Sequence, residues 1–206
     1  MSTATTTSQY HHGDLAAALV RAALDLLEES GAAELSLRAV ARRAGVAASA
    51  PYRHYADRDA LLSAVAAVGY RDLAASLATA HPAPASTDDL AAVAVAYVQF
   101  ALRRPALFRV MFGEPCDRDS AERVAATEAI SAYVSDVVRR AFPGANSEHL
   151  ATGIWALVHG LAFLYLDGKL DASDPDGVRS QVAATVHAII SAPAAMIGNT
   201  GHAQRA

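Results

Sequence analysis

Five arginines crowd one short stretch of the chain. Arg38, Arg42, Arg43, Arg53 and Arg58 all fall between Ser36 and Arg58, with Asp57 as the single acid among them. A guanidinium is always charged and presents a planar fork of donors that matches phosphates and guanine edges. The chemistry on offer is therefore binding of an anion, not bond-making. The setting sharpens this: the whole 206-residue chain carries a formal net charge of −4, so a cationic segment sits in an acidic protein. A localised positive patch is the electrostatic footprint of phosphate binding. Charge alone is equally the mark of a solvated helix face, so the decision falls to spacing.

Bond-making chemistry has little to build on. There is no Gly-rich phosphate loop, no metal-spaced His/Cys/Asp cluster and no nucleophile elbow. His11-His12 with Asp14 is no metal site, and the lone Cys116 excludes an internal disulfide framework. The expectation is a non-enzyme with no cofactor and no metal. The Ser/Thr-rich stretch 1–9 lacks the apolar core of a signal peptide. The longest strongly apolar run, Trp155 to Leu166, has 12 residues, against about 20 for a membrane span. A cytoplasmic protein with no membrane partner is the expectation.

The elements that must position the arginines are helices. Hydrophobic residues make up 53% of the chain and charged residues 18%, which excludes wholesale disorder. Many of the former are Ala, the best helix former, and no long stretch alternates as a strand requires. Capping residues, Gly and Pro stops and helical spacing predict an all-α chain of about nine helices. Asp14 opens the first, which runs to Ser30. Ser36 opens a short one ended by Gly45, and a second short one spans 48–55. Asp57 opens a long helix that ends before the break at 81–87. Helices at 88–103, 105–112, 120–142, 147–167 and 176–191 follow, and the tail after Pro193 is expected to fray.

Ser36 to Tyr55, SLRAVARRAGVAASAPYRHY, has helix-turn-helix spacing. Gly45 suits the tight turn because glycine takes positive φ without steric cost. Ala39, Ala41 and Ala44 are small enough for two closely crossing helices. Val40, Val46 and Tyr55 supply buried faces. The combination of charge and spacing favours duplex binding over a solvated face.

Residues 10–75 resemble the N-terminal domain of TetR-type transcriptional regulators. The matching pieces are YHHGDLAAALVRAALDLLEESG, LSLRAVARRAGVAASAPYRHY and ADRDALL. FALRRPALFRVMFG and WALVHGLAFLYLDG resemble the C-terminal domain of the subgroup with a Trp/His/Gly motif, here Trp155, His159 and Gly160. The resemblance implies a DNA-binding domain over 10–75 and a ligand-binding and dimerisation domain over 87–191. It makes 48–55 the recognition helix in the major groove. Ala47, Ala48, Ser49 and Ala50 then approach base edges, and Arg53 is the long side chain able to fork onto a guanine. Tyr52, His54 and Arg58 match positions that touch phosphates. Ser36 or Arg38 would hold the other strand's backbone. Tyr55 is a core wedge, and of the adjacent Arg42 and Arg43 at least one is merely solvated.

In the C-terminal domain the resemblance implies two roles. The last two long helices are apolar on more than one face and would pair with a second copy, giving a homodimer whose reading heads lie about 34–36 Å apart on a palindromic operator. Tyr97, Phe100, Phe108, Met111, Phe112, Trp155 and His159 would gather around a pocket for an unknown apolar effector whose binding releases DNA. Each of these seven side chains has a plain packing role as its alternative. The competing function is a helical small-molecule-binding or adaptor protein without DNA binding.

Overall fold

The computed structural model describes the backbone of residues 12–113, 120–143 and 146–199 and the side chains of 15–113, 120–143, 146 and 148–191. The expected leader and Cys116 lie outside the described residues; Asp14, expected to cap the first helix, stands within it instead, because α1 already begins at His12. Within them the regular structure is eight α-helices and two 3-10 turns, and no strand.

The first three helices are fixed by caps and turns that the sequence supplies locally. Helix α1 (His12–Ser30) buries Leu19, Ala22, Ala23 and Leu27. Gly31 breaks it at φ 78, where a side chain would be strained. A 3-10 turn over Ala32–Glu34 leads to α2 (Leu37–Arg43), whose N-cap Ser36 accepts a hydrogen bond from the Ala39 N–H at 3.2 Å. Gly45 turns the chain at φ 68. Helix α3 (Arg58–Ala80) is capped by Asp57, which accepts from the Ala60 N–H at 2.8 Å. Leu61, Leu62 and Val65 are fully buried.

The remaining helices are α4 (Thr87–Arg103), α5 (Pro105–Phe112), α6 (Ala121–Ala141), α7 (Ser147–Leu166) and α8 (Pro175–Asn199). Ser86 and Asp89 form a full capping box on α4. Asn146 caps α7 by accepting the His149 N–H. Helix α8 continues past Pro193, beyond the expected end at 191, because Ala and Met in that last stretch are strong helix formers. Helix α4 is the hub, packing against α3, α7 and α8, while α3 packs against α5 and α6. At the α3–α5 crossing a Cβ on Gly69 would lie 2.6 Å from Met111 Sδ and 3.1 Å from Leu107 Cδ1, so the absent side chain is what lets the helices meet.

Two helices are longer apolar elements than the sequence runs implied. Both α3 and the 148–166 part of α7 are long and apolar enough to cross a membrane by length and composition alone; the bent pair α4–α5, broken by 106°, would count if taken as one span. Alanine accounts for the difference, since it raises the mean of a helix without lengthening any strongly apolar run. Within α3 that segment is 61% buried in the protein's own core, whereas in α7 it is 33% buried. Leu164 and Trp155 on α7 and Ile189 on α8 are exposed.

Candidate nucleic-acid interface and effector cavity

The two-helix elbow departs from its sequence reading in its second arm. Residues 48–55 do not form an α-helix: turns at 48–50 lead into a 3-10 turn over Pro51–Arg53. The Ala50, Arg53 and His54 N–H groups donate to Ala47, Ala50 and Pro51 carbonyls, each three residues back. Pro51 has no N–H to give to Ala47, which removes one α-helical bond from so short a segment. Tyr55 restores α spacing by donating its N–H to the Pro51 carbonyl at 2.9 Å.

The side chains sort by exposure. Pro51 is buried and anchors the arm. Tyr52 and Arg53 stand out in solvent, Tyr52 at 53%, and His54 is half-buried. Ala47, Ala48 and Ser49 are exposed and Ala50 is partly so. Arg38 and Arg42 are exposed on α2, and with Arg53 they have no ion-pair partner among the described residues. Arg43 is paired with Glu29 of α1. Tyr55 packs against the core, its O–H donates to the Ala16 carbonyl at 3.5 Å, and burial, reinforced by Glu122, raises its phenol pKa.

Arg58, matched by sequence to a phosphate-touching position, makes bonds within the protein itself. Its Nη2 donates to the Ala32 carbonyl at 2.7 Å and its Nε to the Leu35 carbonyl at 3.1 Å. The fork therefore ties the start of α3 to the turn between α1 and α2. The Ala32 carbonyl also accepts the Leu35 N–H at 3.2 Å, so the fork adds a second bond to the same turn.

The C-terminal aromatics divide as well. Phe100, Phe108 and Met111 are 4%, 0% and 1% exposed, sit in the core on the inward faces of α4 and α5, and line neither of the two cavities described next. Phe112 and Trp155 line a cavity of about 340 Å³ between α3, α6 and α7. Tyr97 and Trp155 border a separate void of about 30 Å³, room for little more than a water. His159 sits in a basket of rings, with centroids of Phe112 at 4.6 Å, Phe163 at 4.9 Å, Phe108 and Trp155 at 5.8 Å and Tyr97 at 6.4 Å. Its Nδ1 lies 3.0 Å from the Tyr97 hydroxyl, and burial holds its pKa below the ordinary histidine value. Burial likewise pushes the Tyr97 phenol up, opposed by a hydrogen bond from Trp155.

The rest of the larger cavity wall had no place in the sequence reading. Tyr70 comes from α3, Thr127, Ser131 and Ser135 from α6, and Glu148 and Thr152 from α7. The signal was a polar row at four-residue spacing, Thr127, Ser131 and Ser135, which ordinarily reads as a solvent face. No group of three His, Cys, Asp or Glu among the described residues could hold a metal ion.

A cationic elbow mounted on a long helix that runs into an all-helical bundle defines a helix-turn-helix protein. The profile described as "Bacterial regulatory proteins, tetR family" matches residues 19–65, and that described as "Tetracyclin repressor-like, C-terminal domain" matches residues 90–190. The chain belongs to the TetR family, whose members are regulators and not enzymes. It is 39% identical over 92 residues to the HTH-type transcriptional regulator Rv1816 of Mycobacterium tuberculosis, covering 43% of this chain and 39% of that protein. The matched part is thus well under half the length of that relative. A solved structure of a protein with unknown function from Rhodococcus sp. RHA1 is 34% identical, covers 87% of this chain and 96% of its own, and superposes with a TM-score of 0.72. A tetR-family regulatory protein from Rhodococcus RHA1, 20% identical with a TM-score of 0.63 over 87% of this chain and 96% of its own, shares the fold.

Proposed function

We propose that the protein is a ligand-responsive transcriptional regulator of the cytoplasm, a repressor that binds a palindromic operator as a homodimer and leaves it when a small apolar effector binds. One observation carries the reading: α3 belongs to both halves of the molecule. Its N-terminus is tied through Arg58 to the base of the elbow, and twelve residues on, Tyr70 walls the cavity. A ligand that favours one tilt of α3 therefore changes the separation of two reading heads. Differential affinity for the two states is what shifts the balance, and 1–3 kcal/mol of coupling is typical.

In this reading residues 10–75 form the DNA-binding domain and 87–191 the regulatory domain. Arg53 reads a base, and Tyr52, Arg38 and Arg42 hold phosphates. The exposed apolar strip of α7, with Leu164, and Ile189 of α8 support pairing with a second copy. The test is anisotropy titration of labelled DNA flanking the protein's own gene at two salt concentrations. Sequence preference with a steep salt dependence supports regulation. Equal, weak binding to every duplex overturns it in favour of an adaptor that binds only small molecules.

A further inference from the structure

The cavity between α3, α6 and α7 is lined unevenly: its apolar floor is ordinary, but its polar groups point one way in hydrogen-bond terms. The Thr127 hydroxyl donates to the Arg123 carbonyl at 2.8 Å and the Thr152 hydroxyl to the Glu148 carbonyl at 3.0 Å. A hydroxyl whose hydrogen is spent on its own helix presents only lone pairs to a ligand. The Tyr70 hydroxyl is likewise spent as a donor, on the Met111 carbonyl at 2.7 Å. The Trp155 indole N–H is the one fixed side-chain donor of the wall, and it lies near enough to Tyr97, outside the wall, to favour that oxygen as its acceptor. Glu148 adds a carboxylate at the rim, and none of the described residues that line the cavity carries a positive charge. Ser131 and Ser135 can rotate either way.

A wall rich in acceptors and poor in donors complements a ligand that brings donors and positive charge. We propose that the effector is a cationic amphiphile, an organic ammonium on an apolar or aromatic body. Its body lies against Phe112, Ile130, Val134 and Trp155, and its ammonium is directed to Glu148 and the Thr127 and Thr152 oxygens. About 340 Å³ falls at the small end of the roughly 300–1,000 Å³ typical of ligand pockets, so one ring system with a short chain fits. Trp155 and Phe112 add faces on which a cation is attracted. An anionic amphiphile would instead meet like charge at Glu148 and lone pairs on the two threonines. The inference rests on the reading of this cavity as the effector site.

The chain's single tryptophan, Trp155, lines the cavity and reports on its occupation. The experiment titrates the full chain with phenylhexylammonium, phenylhexanol and phenylhexanoate, which share a body and differ in the charge of the head, and follows Trp155 fluorescence. The ammonium should bind about tenfold tighter than the alcohol, a modest Coulomb gain at a partly screened site, and the carboxylate weakest. Glu148→Gln should bring the ammonium down to the level of the alcohol and leave the alcohol unchanged; Glu148 is exposed, so the variant keeps its core. Carboxylate binding at or above the ammonium, or an ammonium affinity unmoved by Glu148→Gln, overturns the cationic class while leaving the cavity as a site. Failure of all three to perturb Trp155 overturns the cavity reading itself.

Discussion

Arg104, at the corner between α4 and α5, grips Glu28 of α1 with two nitrogens on one carboxylate oxygen, Nε at 3.0 Å and Nη2 at 2.8 Å. Its third nitrogen reaches Asp72 of α3 at 2.6 Å. One guanidinium thus joins the α4–α5 corner to both α1 and α3. The partners are about half exposed, so the pairs add little to global stability, in the range of 0–1 kcal/mol expected at a surface. Their role is geometric. Arg104→Ala should leave the unfolding midpoint nearly unchanged and raise hydrogen exchange in α1, with α4 and α8 unaffected. Exchange rising equally in all helices would contradict this.

Arg53 and Arg38 should separate in DNA binding. Arg53→Ala should flatten preference at one base position, a loss of roughly 1–3 kcal/mol of discrimination. Arg38→Ala should weaken all sequences alike and reduce the salt slope by about one. Anisotropy titrations on a panel of point-changed operators, at two salt concentrations, distinguish the two.

Arg58 should behave as a structural residue. Two charge-assisted bonds to backbone carbonyls are lost in Arg58→Ala, at about 1.5–3 kcal/mol per bond to a charged group as an upper range. Arg58→Lys should recover part of this, since one ammonium cannot reproduce the fork. Urea denaturation of the three proteins measures it; unchanged midpoints would return Arg58 to the phosphate role.

His159 should make stability depend on pH. Burial holds its folded pKa below the ordinary value of about 6.5. The unfolded chain therefore binds the proton more readily, and stability is present above the unfolded pKa and lost as pH falls through the window down to the folded one. Between roughly pH 7.5 and pH 5 the melting temperature should drop, and His159→Gln should flatten that part of the profile. Comparing the two profiles isolates the part that belongs to His159.

Gly160 tests the pairing surface. A Cβ there meets nothing within 4 Å, so Gly160→Leu costs the single chain no packing and removes a helix-weakening glycine. If α7 meets a second copy along this strip, the variant should fold normally yet show a higher dimer dissociation constant in concentration-dependent light scattering. An unchanged constant would place the interface elsewhere.

Helix boundaries were legible in the sequence where a local signal sets them. Ser36, Asp57 and Gly45 act through bonds or φ values within a few residues, and each stands where its type predicts. The second arm of the elbow was not, because the missing Pro51 N–H tips a short segment from α to 3-10 spacing by a small energy. Pocket residues were the least legible. Phe100, Phe108 and Met111 look like ligand contacts by type, yet which face of α4 and α5 turns inward is decided by helices far away in the chain. Arg58 matched a phosphate position by offset, and only the path of the turn at Ala32–Glu34 reveals what its fork holds.

The bare crossing at Gly69 makes positions 69 and 111 a matched pair of volumes. Even a methyl group there would act as a wedge, prising α5 away from the helix that carries the reading head, since Met111 is 1% exposed and has little room to retreat. Gly69→Ala alone should shift α3 against α5, and shortening Met111 in the same chain should let it settle back. The resting posture of the regulator is thus written into one empty side-chain position.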